Sequence, residues 1–197
     1  MKFGIDIDDT IADTYEIICV YAYEYTMNVL KREVKLNFCN CRQHDYSKTI
    51  FGWTDEESDK FWDLYLDKIF LNVKPFSLCS EYLSKLRNEG NEIIFITARY
   101  GESVERLTKE WLQKNNIIYD KLIVEAQYKG KVALENNIDI FIDDSLQNCI
   151  EVSNLGIKSF LMNTRTNGEL ETGEITRVYN WLDIYNKIHI EAKQICI

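Results

Sequence analysis

The sequence predicts an α/β fold: a doubly wound, Rossmann-like parallel sheet with a helical cap inserted after the first strand. Three observations carry this expectation. From Pro75 onward, short apolar runs alternate with amphipathic helical segments. Those runs are apolar at almost every position, the pattern of strands buried on both faces, and their alternation with helices implies parallel strands joined by right-handed crossovers. The segment directly behind the first apolar run reads instead as helix, with no clear strand before Pro75. The expected division is a core of residues 1–14 and 76–197 and a cap of residues 15–75.

Taken in order, Met1 to Asp9 joins β-formers to an abrupt acidic end, which suits a short buried strand tipped with carboxylates. In the cap, Ile17, Val20, Tyr21 and Glu24 begin one helical pattern. A second runs over 55–70 with Phe61, Leu64, Tyr65 and Ile69 on one side. After Pro75 comes a helix over 78–88, which Gly90 can end in a positive-φ cap. Strand 92–97 (EIIFIT) follows, then a helix capped by Ser103 with Val104, Leu107, Trp111 and Leu112 on its apolar face. Strand 121–125, helix 130–136, strand 138–142, helix 146–153 and strand 158–162 continue the alternation. A last helix carries Ile175, Val178, Leu182, Tyr185 and Ile188.

A chain of 197 residues can bury one domain core with an elaboration. With 46% hydrophobic and 28% charged residues and a single proline, its composition is globular. The net charge of -9 argues against a nucleic acid polymer or an anionic membrane as partner, since both need a basic surface. A small anionic substrate remains compatible, because a metal and a few local cations override the global field. No apolar run approaches the roughly 18 residues that span a bilayer. The six cysteines are scattered, with no C-x-x-C pair, and no signal-peptide pattern opens the sequence; reduced thiols and a cytoplasmic location are expected. Oligomeric state is left open.

Three strand ends finish in polar residues: Asp6, Asp8, Asp9 and Thr10; Thr97, Ala98 and Arg99; Asp143, Asp144 and Ser145. In a parallel sheet these tips share one edge. Carboxylates converging there repel one another unless a cation sits among them, and hard oxygen ligands favour magnesium, whereas zinc would recruit histidine or cysteine.

Asp6-Ile7-Asp8-Asp9-Thr10 behind an apolar strand resembles the first motif (D-x-D-x-T) of the haloacid dehalogenase-like (HAD) superfamily. Thr97 at a strand end resembles the second, Lys129 the third and Asp143-Asp144 the fourth, all in the family's order. The segment from Phe3 to Thr14 (FGIDIDDTIADT), with the cap directly behind it, is similar to the 5'-nucleotidases of the deoxyribonucleotidase branch and their bacterial relatives. So is the sequence Thr97-Ala98-Arg99.

The resemblance implies a magnesium-dependent phosphomonoester hydrolase acting through an aspartyl-phosphate. Asp6 would be the nucleophile and Asp8 the general acid and base. Asp6, the backbone carbonyl of Asp8 and Asp143 or Asp144 would hold Mg2+. Thr97, Arg99 and Lys129 would bind the phosphate, with Lys131 the competitor to Lys129. The expected substrate is a small phosphorylated metabolite, a nucleoside 5'-monophosphate or deoxyribonucleotide. A HAD phosphatase for a sugar phosphate or other metabolite, and a non-catalytic HAD-fold binding protein, are the alternatives; a phosphomutase or dehalogenase fits less well.

Some features have plainer readings. Cys39, Cys41 and His44 lack the second half of a zinc site and read as incidental. His189 reads as structural. Of the cap aromatics Tyr15, Tyr21, Tyr23, Phe38, Tyr46, Phe51, Trp53 and Trp62, most should hold the insertion together, leaving one or two to stack on a base.

Overall fold

The computed structural model describes residues 1–34 and 46–195. Cys39, Cys41, His44, Phe38 and Cys196 lie outside them, as does the side chain of Tyr46. The chain runs β1 (Lys2–Ile5), α1 (Thr14–Asn28), α2 (Tyr46–Thr49), α3 (Asp55–Asn72), α4 (Cys79–Asn88), β2 (Glu92–Ile96), α5 (Val104–Lys114) and β3 (Lys121–Ile123). It continues through α6 (Lys129–Glu135), β4 (Ile140–Asp143), α7 (Leu146–Ser153), β5 (Lys158–Met162), β6 (Thr176–Val178) and α8 (Trp181–Ile195).

The six strands form one sheet in the order β3-β2-β1-β4-β5-β6, and every pairing is parallel. Register places Ile5 beside Phe95 and Ile142, so the tips of β1, β2 and β4 end at one level. That level carries the motif residues. One core cluster packs Phe3, Ile5, Ile93, Phe95, Ile140 and Ile142 beneath α4 and α8; another packs Ile94, Ile96 and Phe141 against residues of α6 and α7. Helices therefore cover both faces, as the uniformly apolar strands require.

Between β1 and α4 the chain leaves and returns along two adjacent segments. Asp13 N donates to Lys74 O and Phe76 N to Ile11 O, both at 2.9 Å. Within the intervening segment α1 packs on α3, and Tyr25, Phe51, Trp53, Phe61 and Tyr65 form an aromatic cluster. Val104 and Leu107 of α5 join this cluster, while Trp111 and Leu112 enter the sheet core. Helix α5 thus links the two packing units. A capping box at Thr54 and Glu57 starts α3.

Several expectations needed correction. On α1 the buried face is Tyr15, Ile18, Cys19, Ala22 and Tyr25, whereas Val20 and Glu24 are exposed. Apolar residues ring this helix, so periodicity alone gives its phase poorly. Leu64 is exposed, and Phe70 joins Phe61, Tyr65 and Ile69 instead. Ile175 and Val178 do not belong to the last helix: residues 176–178 form the edge strand β6, and the i,i+3 spacing of Val178 from Ile175, just before the strand, imitated a helical face. Leu182, on α8, is exposed. Strand 121–125 stops at Ile123, ahead of Glu125 at φ 58°, and strand 138–142 begins at Ile140, after Asn137 at φ 53°. The helix expected over 130–136 starts one residue earlier, at Lys129. Ser103 precedes α5 without a side-chain capping bond.

Candidate active site

Beyond β1 the chain folds into a tight loop. Thr10, Ile11 and Ala12 all donate their amides to Ile7 O, and Asp9 takes φ 56°. Asp6 N is held by Ile142 O of the neighbouring strand at 2.9 Å, and Trp181 Nε1 donates to Thr10 O at 3.2 Å. A left-handed conformation costs an aspartate less than most residues, since its short side chain can bond locally. Here Asp9 does so, accepting from Tyr15 N at 2.9 Å.

Lys129 opens α6 and is buried. Its ammonium donates to Asp6 Oδ1 at 2.5 Å and to Asp143 Oδ2 at 2.7 Å. Its competitor Lys131 is exposed and lies 3.8 Å from Glu135. Asp143 is further fixed by Ser145 N at 2.7 Å and by Asn148 Nδ2 at 3.2 Å to each oxygen. Glu151 accepts from Gly130 N at 3.1 Å, tying α7 to the start of α6.

Asp144 is different. Among the described residues no hydrogen bond or ion pair reaches its nearly buried carboxylate, yet Asp6, Asp143 and Asp144 each offer an oxygen, all within 4.8 Å of one another. Burial, then Asp143, Asp6 and Asp9, push its carboxyl well above the usual range. Burial likewise pushes Asp6 up to about 7, with Lys129 opposing and Asp143 and Asp8 reinforcing. A divalent cation would resolve this repulsion, and an all-oxygen donor set suits magnesium. The residues fit the ion that the motif pattern implies.

Asp8 faces a separate partner. Arg99 grips it with both arms of its fork, Nε to Oδ2 at 2.8 Å and Nη2 to Oδ1 at 2.7 Å, and Thr14 Oγ1 adds 2.7 Å to Oδ1. Burial raises the proton affinity of Asp8, but Arg99 and Thr14 outweigh it and hold the carboxyl below its ordinary value. Arg99, expected at the phosphate, is thus paired with Asp8 at the edge of the cluster. The guanidinium also donates to Thr108 Oγ1 at 3.2 Å and lies 4.0 Å from the centroid of Phe70 on α3. Thr97 is buried at the end of β2, its Oγ1 accepting from Arg99 N at 3.3 Å.

The structure thus brings Asp6, Lys129, Asp143 and Asp144 into one cluster and links Asp8 to Arg99 and Thr14 beside it. Sequence reasoning missed Thr14, Asn148, Glu151 and Asn167, all acting through contacts no local pattern reveals. A cleft of about 400 Å³ opens beside Asp9, lined also by Asp13, Tyr15, Phe76, Asn163 and Arg165. That volume admits a small metabolite. His189 lies on α8, bonded to Tyr185 O at 2.8 Å and facing Glu89 at 3.2 Å. Phe51 and Trp53 are buried in the aromatic cluster, Tyr15 is buried on α1 against Cys19 and Ile50, and Tyr23 is exposed. No helix among the described residues is long and apolar enough to cross a membrane.

Comparison with known proteins adds independent findings. The model of the family described as 5' nucleotidase, deoxy (pyrimidine), cytosolic type C protein matches residues 1–195. A nucleotidase of Clostridium acetobutylicum is 30% identical over 186 residues, 94% of this chain and 92% of that protein. Among solved structures, a haloacid dehalogenase-like hydrolase of Streptococcus pneumoniae superposes with TM-score 0.66 at 14% identity, covering 95% of this chain and 97% of that one. A HAD-superfamily hydrolase of subfamily IA from Geobacter sulfurreducens also gives 0.66, at 13% identity and 95% of each chain. At such identities these two show the fold alone.

Proposed function

Because the chain belongs to the cytosolic type C deoxy (pyrimidine) 5' nucleotidase family and is a HAD-fold phosphomonoester hydrolase, we propose that it is a magnesium-dependent nucleotidase. Its substrates are nucleoside 5'-monophosphates, deoxyribonucleotides foremost, and it works through an aspartyl-phosphate on Asp6. The observation that carries this reading is the Lys129 ammonium held between Asp6 and Asp143 beside Asp144, whose carboxylate has no bonding partner among the described residues. A site that balances three carboxylates with one lysine is short of positive charge; a divalent cation is the natural complement, and with Lys129 it offsets the charge of an incoming phosphate.

The side chains of Asp6 and Asp144, with the Asp8 carbonyl, would hold the metal; Asp143 mainly orients Lys129. When bound, Mg2+ supplies charge that neutralises the phosphoryl oxygens and keeps Asp6 ionised. Asp6 attacks phosphorus as the bond to the leaving oxygen breaks, and Asp8 gives that oxygen a proton. Water then attacks the phosphorus of the aspartyl-phosphate, Asp8 takes the water's proton, and the Asp6 carboxylate is restored. Lys129 and Thr97 bind phosphoryl oxygens. Arg99 orients Asp8, and an arriving phosphate dianion beside Asp8 opposes the arginine and raises its proton affinity.

Residues 15–75 form the cap and 1–14 with 76–197 the catalytic core, joined by the paired linkers at Ile11 to Asp13 and Lys74 to Phe76. The buried free thiols of Cys79 and Cys149 fit a reducing compartment, the cytoplasm. The test is phosphate release from a panel of ribo- and deoxyribonucleoside monophosphates and sugar phosphates, with Mg2+ and with chelator. Magnesium-dependent preference for nucleotides is expected; preference for sugar phosphates would reject the substrate assignment.

A further inference from the structure

Asn167 lies in the loop after β5, outside every motif of the sequence, yet it is 2% exposed. Its Nδ2 donates to Asp144 O at 2.7 Å and to Met162 O at 2.8 Å. Its Oδ1 accepts from Arg177 Nη1 at 2.8 Å and from Thr164 N at 3.1 Å. Two donors and two lone pairs are all that an amide offers, so its capacity is filled and its orientation fixed. Arg177 is anchored in turn: Nη1 donates to Asn163 Oδ1 at 3.0 Å, and Nη2 to Asn167 O at 3.1 Å and Leu170 O at 2.8 Å. One side chain therefore ties the tip of β4 to the end of β5, braced from β6.

The tie lands where the site needs it. Lys129, Ser145 and Asn148 fix the Asp143 carboxylate directly, but no described side chain holds that of Asp144. Two other carboxylates repel it from within 4.8 Å. Its direction is thus left to its backbone, and Asn167 grips the carbonyl of that same residue. We propose that Asn167 is a positioning residue of the divalent-cation site, holding Asp144 so that its carboxylate converges with Asp6 before the ion arrives. This rests on the reading of Asp144 as a metal ligand. Groups that orient ligands in this way are commonly worth 10- to 100-fold in metal affinity.

The experiment measures Mn2+ binding directly by the loss of the free-ion paramagnetic resonance signal, well below the unfolding temperature, with thermal melts alongside. It compares wild type with Asn167→Ala, and with Asn167→Ser, which keeps one short donor and is the milder variant should the alanine protein fail to fold. Asn163→Ala is the control, since it removes an Arg177 contact from the same loop without touching Asp144. The proposal expects about tenfold or weaker Mn2+ binding in the Asn167 variants, with kcat largely recovered at saturating metal, and unchanged affinity in Asn163→Ala. Asn167 variants that melt earlier but bind Mn2+ as wild type does would overturn it. Wild-type protein that binds no Mn2+ would instead reject the underlying metal-site reading, and the proposal with it.

Discussion

Replacing Lys129 by Met removes the cation bonded to both Asp6 and Asp143 while keeping most of the side-chain volume. At 2.5 and 2.7 Å each attraction is worth about 6 kcal/mol gross at an effective dielectric near 20. Desolvation of three buried groups cancels much of this, and breaking one partner out of a buried ion pair typically costs about 3–5 kcal/mol net. The carboxylates can answer by binding protons, so the loss should be largest near pH 8, above the value of about 7 to which Asp6 is already pushed. Urea unfolding in chelator at pH 8 is the assay. With a slope of about 2 kcal/mol per molar urea, the midpoint should drop by about 1.5–2.5 M. Saturating Mg2+ should restore part of that drop by supplying charge to the same carboxylates. Turnover should fall at least about a hundredfold, because the phosphate loses a buried cation. Lys131→Met is the control: its side chain is 74% exposed and it should match wild type in both assays. A loss below about 1 kcal/mol in chelator, indifferent to Mg2+, would refute the account of Lys129 as the balancing charge.

Two further outcomes follow. Arg99→Lys keeps a charge but loses the two-armed grip on Asp8, so kcat should fall about tenfold or more with little change in KM; equal kcat in steady-state assays would show that the grip does not matter. Asp6 and Asp9 are both pushed up to about 7, from about 3.9 in an unfolded chain, and Asp144 is also raised. The folded state therefore holds extra protons between these values. That contribution to stability is complete below about pH 4 and is lost as pH rises through about 7, with a slope of about 1.4 kcal/mol per pH unit for each extra proton. Metal-free protein should melt progressively lower from pH 5 to 7.5. Mg2+ binds the ionised form and should flatten the decline; parallel profiles with and without the ion would count against the cluster as its site.

The strand tips were legible because buried parallel strands are apolar until they end, so the polar residues after Ile5, Ile96 and Ile142 announce the sheet edge by contrast. Lys129 could be singled out by its spacing before Asp143, but its burial, against the exposure of Lys131, is a tertiary fact. The grip of Arg99 on Asp8 spans 91 positions and has no local signature. Asn167 is hidden for the same reason: a lone asparagine in a polar loop looks like a turn residue until Asp144, Met162 and Arg177 close around it. The phase of α1 was illegible because its apolar residues ring the helix, and β6 because three residues cannot display a period.

The central claim is that Asp6 itself carries the phosphoryl group. Protein quenched during turnover of a deoxynucleoside monophosphate with Mg2+ is treated with borohydride, which reduces an acyl phosphate to the alcohol, and the peptide containing Asp6 is read by mass spectrometry. The account predicts homoserine at position 6, absent with chelator and absent in Asp6→Asn. Phosphate release at full rate with Asp6 never converted, or continued release by Asp6→Asn, would contradict it.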